Sequence, residues 1–176
     1  MNMKKIVLAM AMSSAMIAGA NAADQGHGKV TFEGTVIEAA CSINPDSLDQ
    51  TVPLGSIARH QLLSGGKSTP RDFSLKLEDC DTSIGGAAEV TFNGSAGDKA
   101  EGLDKAFATT GVAAGTVGVV VTQAGGVIVE PNKPAEKIAL NDGENELAFQ
   151  AYAQGGTTTV STGAFSATAN FVMNYK

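Results

Sequence analysis

Few residues in this chain have the types and spacing that enzyme chemistry requires. Ser64 and Lys67 show the Ser-x-x-Lys spacing of the nucleophile pair in penicillin-recognising enzymes. That chemistry needs the serine on a helix together with Ser-Asp-Asn and Lys-Thr-Gly elements, and this sequence contains neither element. Two glycines separate the pair in a predicted loop, and we therefore predict no nucleophilic site at Ser64.

Acid–base and metal-binding groups are equally sparse. Asp79 and Asp81 flank Cys80 at the end of a predicted strand, and paired carboxylates are able to transfer protons. Exposed acids beside a disulfide are a far commoner explanation of such a pair. His27 and His60 fit neither the order of a catalytic triad nor a metal-ligand spacing. The sequence therefore predicts a protein that is not an enzyme, has no catalytic residues and binds no metal ion or cofactor.

The first 22 residues have the organisation of a secretory signal peptide. Lys4 and Lys5 precede an apolar stretch at 6–20, and the small-residue motif Ala-Asn-Ala ends at Ala22. The apolar stretch is about 15 residues long, which is shorter than the roughly 20 residues of a membrane span. We expect cleavage after Ala22 and export of residues 23–176. An uncleaved N-terminal anchor is the alternative.

The two cysteines, Cys41 and Cys80, both follow the predicted cleavage site. In an exported protein a disulfide is the default state of such a pair. In the chain-entropy model this crosslink would contribute about 4 kcal/mol to stability. A metal site is the competing interpretation, which the absence of ligand spacing disfavours.

The composition favours one all-β domain. Charged residues make up 17% of the chain and hydrophobic residues 43%, with 21 glycines, which suits short strands joined by turns. The net charge is −6, and loss of Lys4 and Lys5 would make the exported chain more acidic. We therefore expect no nucleic acid and no anionic membrane surface among its partners.

Two segments near the chain ends alternate in hydrophobicity with period two, which is typical of half-buried strands. The terminal segment, 163–176, has one face formed by Phe165, Ala167, Ala169, Phe171, Met173 and Tyr175. The N-terminal segment has one face formed by Val30, Phe32, Gly34 and Val36. Including these, about eight short strands at sandwich-like spacing are predicted. The others lie at 51–57, 73–77, 89–93, 117–122, 127–129 and 146–154, and 137–140 is a further short segment. No convincing helix is predicted.

The N-terminal segment has three physical interpretations. It forms the first strand of a closed sandwich, it swaps into another copy, or it is an extension that completes the sheet of another subunit. Strand addition supplies backbone hydrogen bonds and pockets for alternate side chains. When strand exchange passes from head to tail, it produces an open filament.

Several stretches of the chain match a known family. They are 28–41, 48–55, 78–82 and 163–176, with a glycine fourteenth from the C-terminus (Gly163) and a penultimate tyrosine (Tyr175). With these features, residues 23–176 resemble chaperone–usher pilins and are most similar to the major rod subunits of the type 1 fimbrial group.

The resemblance implies a fold and a division of the chain. The fold would be an incomplete immunoglobulin-like sandwich of six own strands, completed by a donor strand from another subunit. Residues 1–22 would be the signal peptide, 23–40 the donor-strand extension and 41–176 the pilin domain. Val30, Phe32, Gly34 and Val36 would be the donor residues. Gly163, Phe165, Ala167, Ala169, Phe171, Met173 and Tyr175 would line the acceptor groove and bind the chaperone.

The resemblance also implies partners and a location. A periplasmic chaperone would first fill the groove, and an outer-membrane usher would exchange the chaperone for the donor strand of another subunit. Copies of the chain and other pilins would form a head-to-tail filament, a fimbria on the cell surface of a Gram-negative bacterium that supports adhesion. A minor adaptor, a tip subunit or an adhesin-like component is the alternative to a rod subunit.

Overall fold

The computed structural model describes residues 27–176, so the signal peptide predicted at 1–22 lies outside the described residues. The chain divides into two units, 1–36 and 37–176. The described part of the first unit, 27–36, contains no helix or strand, and its residues are exposed. The second unit is built almost entirely from antiparallel β-strands.

Eleven strand segments form within the described residues. The first five are β1 (Ser42–Ile43), β2 (Arg71–Cys80), β3 (Ala87–Asn93), β4 (Phe107–Ala108) and β5 (Thr110–Gly111). The other six are β6 (Val117–Gln123), β7 (Ile128–Val129), β8 (Ile138–Ala139), β9 (Gly143–Gly155), β10 (Phe165–Ser166) and β11 (Asn170–Tyr175). The number exceeds the six strands implied by the resemblance because many of the segments are only two residues long and are separated by irregular chain.

Helical structure is confined to short pieces. A single turn of α-helix, α1 (Arg59–Leu62), lies in the region where the sequence predicts only a loop. Short 3-10 turns occupy Pro45–Ser47, Leu63–Gly65, Lys99–Glu101 and Ala124–Gly126. Across residues 27–176, none of these helical pieces reaches the length and apolar character needed to span a membrane.

The strands form three sheets in which every pairing is antiparallel. The largest has the order β1-β2-β9-β6-β4, with β7 also paired to β6. A second sheet has the order β11-β3-β8, and β10 pairs with β5 in a two-stranded ribbon. The sheet centred on β9 and the sheet centred on β3 supply the two faces of the main core.

Alternation along the strands fills this core. Half-buried and buried residues alternate along β3, and the buried ones, Ala88, Val90 and Phe92, lie on its inner face. Leu75 and Leu77 of β2 face them, together with side chains of β9. Phe92 and Phe149 meet edge to face with ring centroids 5.2 Å apart, an arrangement favoured by the ring quadrupoles. This aromatic contact joins the two sheets.

The disulfide predicted from the sequence is present between Cys41 and Cys80. It joins the start of the second unit to the end of β2, where Ser42 also pairs with Glu78. The Asp81 backbone N–H donates to the carbonyl of Ala40 at 2.9 Å. These links fix residues 40–43 against the body of the sandwich.

Most of the strands predicted between 73 and 154 are confirmed, whereas the segments predicted as strands at 30–36 and 51–57 form none. β2, β3, β6, β7, β8 and β9 cover or overlap the segments predicted between 73 and 154. Residues 51–57, predicted as a short strand, form no strand. Pro53 has no N–H to donate, and Gly55 adopts φ +77°, so the segment cannot hold a regular ladder.

The buried side-chain amide of Gln123 forms hydrogen bonds with the loop between β7 and β8. Gln123, at the end of β6, is 5% exposed. Its Nε2 donates to the Glu136 carbonyl at 2.8 Å, and its Oε1 accepts from the Glu136 backbone N–H at 2.8 Å. The side chain therefore replaces a pair of sheet hydrogen bonds and holds the chain between β7 and β8 in place.

Candidate functional site

The C-terminal strand lies at the edge of its sheet. β11 pairs with β3, with Phe171 opposite Phe92 and Tyr175 opposite Ala88, and the sheet continues from β3 to β8. Within residues 27–176 no strand occupies the other side of β11. Its outer backbone edge therefore presents N–H and C=O groups that another strand is able to pair with.

The side chains of the terminal segment alternate as the sequence predicts. The odd-numbered residues are half-buried and pack against the core; they are Phe165, Ala167, Ala169, Phe171, Met173 and Tyr175. The even-numbered residues from Ser166 to Lys176 are exposed, including Val172, whose exposed fraction is 49%. Each apolar side chain of the inner face is thus only partly covered by its own subunit.

The terminal segment is not one continuous strand, and in this respect the prediction is wrong. Residues 167–169 belong to no strand, and the pairing partner changes from β5 to β3 across them. The first half, β10, pairs with β5, and the second half, β11, pairs with β3, so the chain between them leaves one pairing register before it enters the other. The sidedness of the segment nevertheless persists through the break.

Gly163 starts the terminal segment in a conformation that other residues rarely adopt. Its φ is +146°, and a Cβ added there would lie 2.5 Å from the Cβ of Val112. The backbone N–H of Val112 donates to the carbonyl of Ala164 at 3.0 Å. A glycine is therefore required for the close approach of the two chain segments.

A long cleft runs beside the terminal segment. Its cavity volume is about 1180 Å³, which exceeds the roughly 300–1,000 Å³ typical of small-molecule pockets. One wall is formed by residues 160–171 and the other by 47–57. Apolar side chains of the core, including Phe73, Phe92 and Val121, form its floor. The cleft gives direct access to the hydrophobic core.

The second wall also resembles a strand that lacks its neighbour. Val52, Leu54 and Ile57 are half-buried, whereas Pro53, Gly55 and Ser56 between them are exposed. The segment has no sheet partner among the described residues. The cleft is therefore bounded on one side by the terminal segment and on the other by a segment without a sheet partner, and an additional β-strand would fill the space between them.

The far end of the terminal segment is anchored near the disulfide. The Tyr175 hydroxyl donates to the carbonyl of Cys41 at 3.4 Å. Partial burial of the ring raises the pKa of the Tyr175 phenol above its ordinary value, because the charged form is poorly solvated there. A smaller cavity of about 470 Å³ opens at this end, lined by Ile37, Ile84 and Met173 among others.

The residues considered for chemistry form no catalytic arrangement among residues 27–176. Ser64 lies in a 3-10 turn with φ +55°, and Lys67 Nζ lies 5.3 Å from the centroid of the Tyr152 ring. Asp81 Oδ1 accepts a hydrogen bond from the Ser83 backbone N–H at 2.9 Å and so closes a turn. No cluster of potential metal ligands occurs between residues 27 and 176. The open edge of β11 and the cleft beside it are surfaces suited to association with another strand.

The predicted donor residues lie in the first unit. Val30, Phe32 and Val36 are 73%, 90% and 101% exposed. A Cβ at Gly34 would meet no atom within 4 Å. Such high exposure is unusual for several large apolar residues in one short segment.

Sequence reasoning locates one wall of the cleft and misses the other. The terminal segment is found through its alternation. The wall at 47–57 is missed as part of the site, although the same alternation of Val52 and Leu54 was visible. The position of Val112 against Gly163 is also missed, because only the folded chain brings them together.

Comparison with known proteins assigns a family. The profile of the family described as "Fimbrial protein" matches residues 30–176. The chain is 42% identical to the Fimbria A protein of Serratia marcescens and 40% identical to the Major MR/P fimbria protein of Proteus mirabilis, in each case over 100% of both chains.

Solved structures give the same result. One, described as a chaperone–usher pilus, has a TM-score of 0.75 and 34% identity, and covers 86% of this chain and 97% of its own. The crystal structure of the P pilus rod subunit PapA has a TM-score of 0.68 and 30% identity, and covers 78% of this chain and 100% of its own.

Proposed function

This chain belongs to the fimbrial protein family and is a structural subunit of a surface pilus, and we propose that it polymerises by adding residues 30–36 of one copy to the open cleft of another. The all-β, immunoglobulin-like pilin fold expected from the sequence is confirmed, as is assembly into a fimbria exported through the periplasm to the cell surface. The protein is not an enzyme.

The open edge of β11 is the observation that carries the proposal. It lies beside a cleft that exposes the core between two extended walls. The segment 30–36 supplies what is missing, since its apolar residues alternate with polar ones and it has no strand partner of its own. At about 3.3 Å per residue it extends over roughly 20 Å, which fits within the roughly 33 Å from 165 to 175.

Gly34 has a defined place in this model of assembly. The other three donor residues carry side chains that fill pockets in the cleft, and the glycine passes a constriction where a side chain would clash. Both the donor assignment and the acceptor assignment of Gly163, Phe165, Ala167, Ala169, Phe171, Met173 and Tyr175 belong to this proposal. Residues 23–40 act as the extension and 41–176 as the pilin domain.

Burial of the donor side chains favours association. Val30, Phe32 and Val36 contribute on the order of 5–9 kcal/mol together, at about 1.5–3 kcal/mol for each buried side chain. Each new backbone hydrogen bond adds about 0.5–1.5 kcal/mol. No nucleotide hydrolysis is needed, because the subunit passes from a less completely packed state to a better packed one.

A subunit with an open cleft needs a temporary occupant during export. A periplasmic chaperone would supply a strand to the same edge of β11, and an outer-membrane usher would exchange it for the donor segment of another subunit. A rod subunit is preferred to a minor adaptor or tip component, because relatives along the whole chain include a major fimbria protein and a rod subunit is among the structural neighbours.

Removal of the donor segment tests the proposal. A variant that retains 1–22 and lacks 23–36 is expected to be exported and to form no filaments by electron microscopy. A synthetic peptide of residues 27–36 is expected to bind this variant one to one. A control peptide in which Phe32 and Val36 are replaced by Ser should bind at least tenfold more weakly. Filaments formed by the deleted variant would exclude donor-strand addition.

A further inference from the structure

Three exposed, branched apolar side chains lie at opposite ends of the terminal segment. Ile37 and Ile84 are 61% and 66% exposed and border the small cavity beside Tyr175. Val112 is 71% exposed and lies against Gly163. The first pair therefore marks the C-terminal end of the acceptor cleft, and Val112 marks its beginning.

The turn that carries Ile84 is held rigidly against the strand end. The backbone N–H of Ile84 donates to the carbonyl of Asp81 at 3.1 Å. A Cβ at the following residue, Gly85, would lie 3.0 Å from Tyr175 Cβ and 3.2 Å from Ala40 Cβ. The exposure of Ile84 is thus set by a tightly packed turn.

Val112 is held equally firmly at the other end. The preceding residue, Gly111, pairs with Phe165, and the Val112 backbone N–H donates to the Ala164 carbonyl. The side chain covers Gly163 on one side and leaves most of its surface to solvent. Both ends of the cleft therefore present a fixed apolar group.

The direction of the donor strand and the short connection after it determine which end of the acceptor cleft lies near the body of the donor copy. Every sheet pairing in the described chain is antiparallel, and we expect the same of the donor beside β11. Val36 of the donor copy then lies at the Gly163 end of the acceptor. Residues 37–40 span at most about 14 Å, and the next residue is Cys41, which is buried in the body of the donor copy.

We propose that Ile37 and Ile84 of each donor copy pack on Val112 of the acceptor copy, forming a second apolar contact beside the donor strand. This inference rests on the proposed donor-strand addition and names the partner surface that follows from it. The contact forms when the strand enters antiparallel. A parallel strand would bring residues 27–30 to Val112 instead. The second contact therefore fixes the angle between successive subunits.

Site-specific photocrosslinking tests this contact. A benzophenone amino acid at position 112 should yield, in assembled filaments, crosslinked dimers whose peptides map to 37–43 or 83–86 of a second copy. The reciprocal probe at position 84 should map to 111–114. The same probe at Ile128, which is 36% exposed on the short strand β7, is the control and should not map to either segment.

The outcomes separate this inference from the function on which it rests. Filaments whose position-112 crosslinks map to 27–30, or to neither predicted segment, would retain donor-strand addition and overturn the second contact. Unmodified protein provides the same test if the probes prevent assembly. Amides at 83–86 and 111–114 should exchange hydrogen at least tenfold more slowly in filaments than in single subunits filled with the 27–36 peptide. Equal exchange rates at both segments would exclude the contact.

Discussion

The side chain of Val112 occupies the space that a side chain at position 163 would need. A Cβ at Gly163 would lie 2.5 Å from Val112 Cβ and 2.7 Å from its Cγ1, and the glycine has φ +146°. The start of the acceptor cleft is therefore shaped by one close contact between two chain segments that are far apart in the sequence. This contact makes a glycine necessary at position 163 for the local fold.

Gly163→Ala is expected to lower the free energy of unfolding by about 1–3 kcal/mol, because it adds both backbone strain and overlap with Val112. Urea denaturation of the purified monomer measures the change. Gly115→Ala is the control, since that glycine has φ +78° and no atom within 4 Å of an added Cβ. Equal losses in the two variants would show that the overlap with Val112 has no effect. Val112→Gly, which removes the Cβ and both Cγ atoms that an added side chain would meet, should reduce the loss caused by Gly163→Ala.

Phe32→Ala should weaken filaments without destabilising the monomer. The side chain is 90% exposed in the single chain and would be buried in the acceptor cleft, so its truncation is expected to cost about 3 kcal/mol at each subunit contact. The temperature at which filaments dissociate in detergent measures this loss. Glu33→Ala, on the opposite face of the same segment, should leave the dissociation temperature nearly unchanged. If both variants dissociated alike, the predicted sidedness of the donor would be wrong.

Cys41→Ser or Cys80→Ser should destabilise the subunit by about 2–5 kcal/mol. The disulfide holds the start of the second unit to the end of β2, next to the Tyr175 end of the cleft. The amount of soluble periplasmic subunit, measured by immunoblotting, should fall in either single variant. The double variant should resemble the single ones. An unchanged amount in all three would exclude a role of the bridge in folding.

Gln123→Ala should cost about 1–3 kcal/mol, because it removes a buried amide that makes two hydrogen bonds and leaves the N–H and C=O of Glu136 without their side-chain partner. Gln150→Ala provides a matched control. That amide donates to Asp72 Oδ1 at 2.7 Å on the surface, where water replaces the lost partner. A loss in Gln150→Ala as large as that in Gln123→Ala would contradict the role assigned to burial.

The Thr82–Asp142 contact should make stability depend on pH in the acid range. The Thr82 side chain and backbone both donate to Asp142 Oδ1, at 2.6 and 2.8 Å, and these bonds lower the pKa of Asp142 below its ordinary value of 3.8. A lowered pKa in the folded state stabilises the fold above about pH 4, and the contribution is lost as the pH falls through the folded-state pKa. Asp142→Asn should therefore lower Tm at pH 7, and its difference from the wild type should shrink as the pH falls below about 4. A difference that stayed constant with pH would show that ionisation of Asp142 is not involved.

The strands could be predicted from the sequence wherever a single residue pattern decides the structure. The alternation in β3, β9 and the terminal segment reports directly which side chains face the core. The break at 167–169 was not predictable, because it arises from competition between β5 and β3 for the same segment. The irregular course of 51–57 depends on Pro53 and Gly55 and on the absence of a neighbouring strand, and alternation alone does not report these features.

The open edge of β11 also has a mechanical consequence. Under the proposed donor-strand addition, the donor would lie along this edge and form a row of backbone hydrogen bonds with β11. A tensile force directed along the donor strand would load all of these bonds together in shear, whereas a strand peeled from its end would lose them one by one.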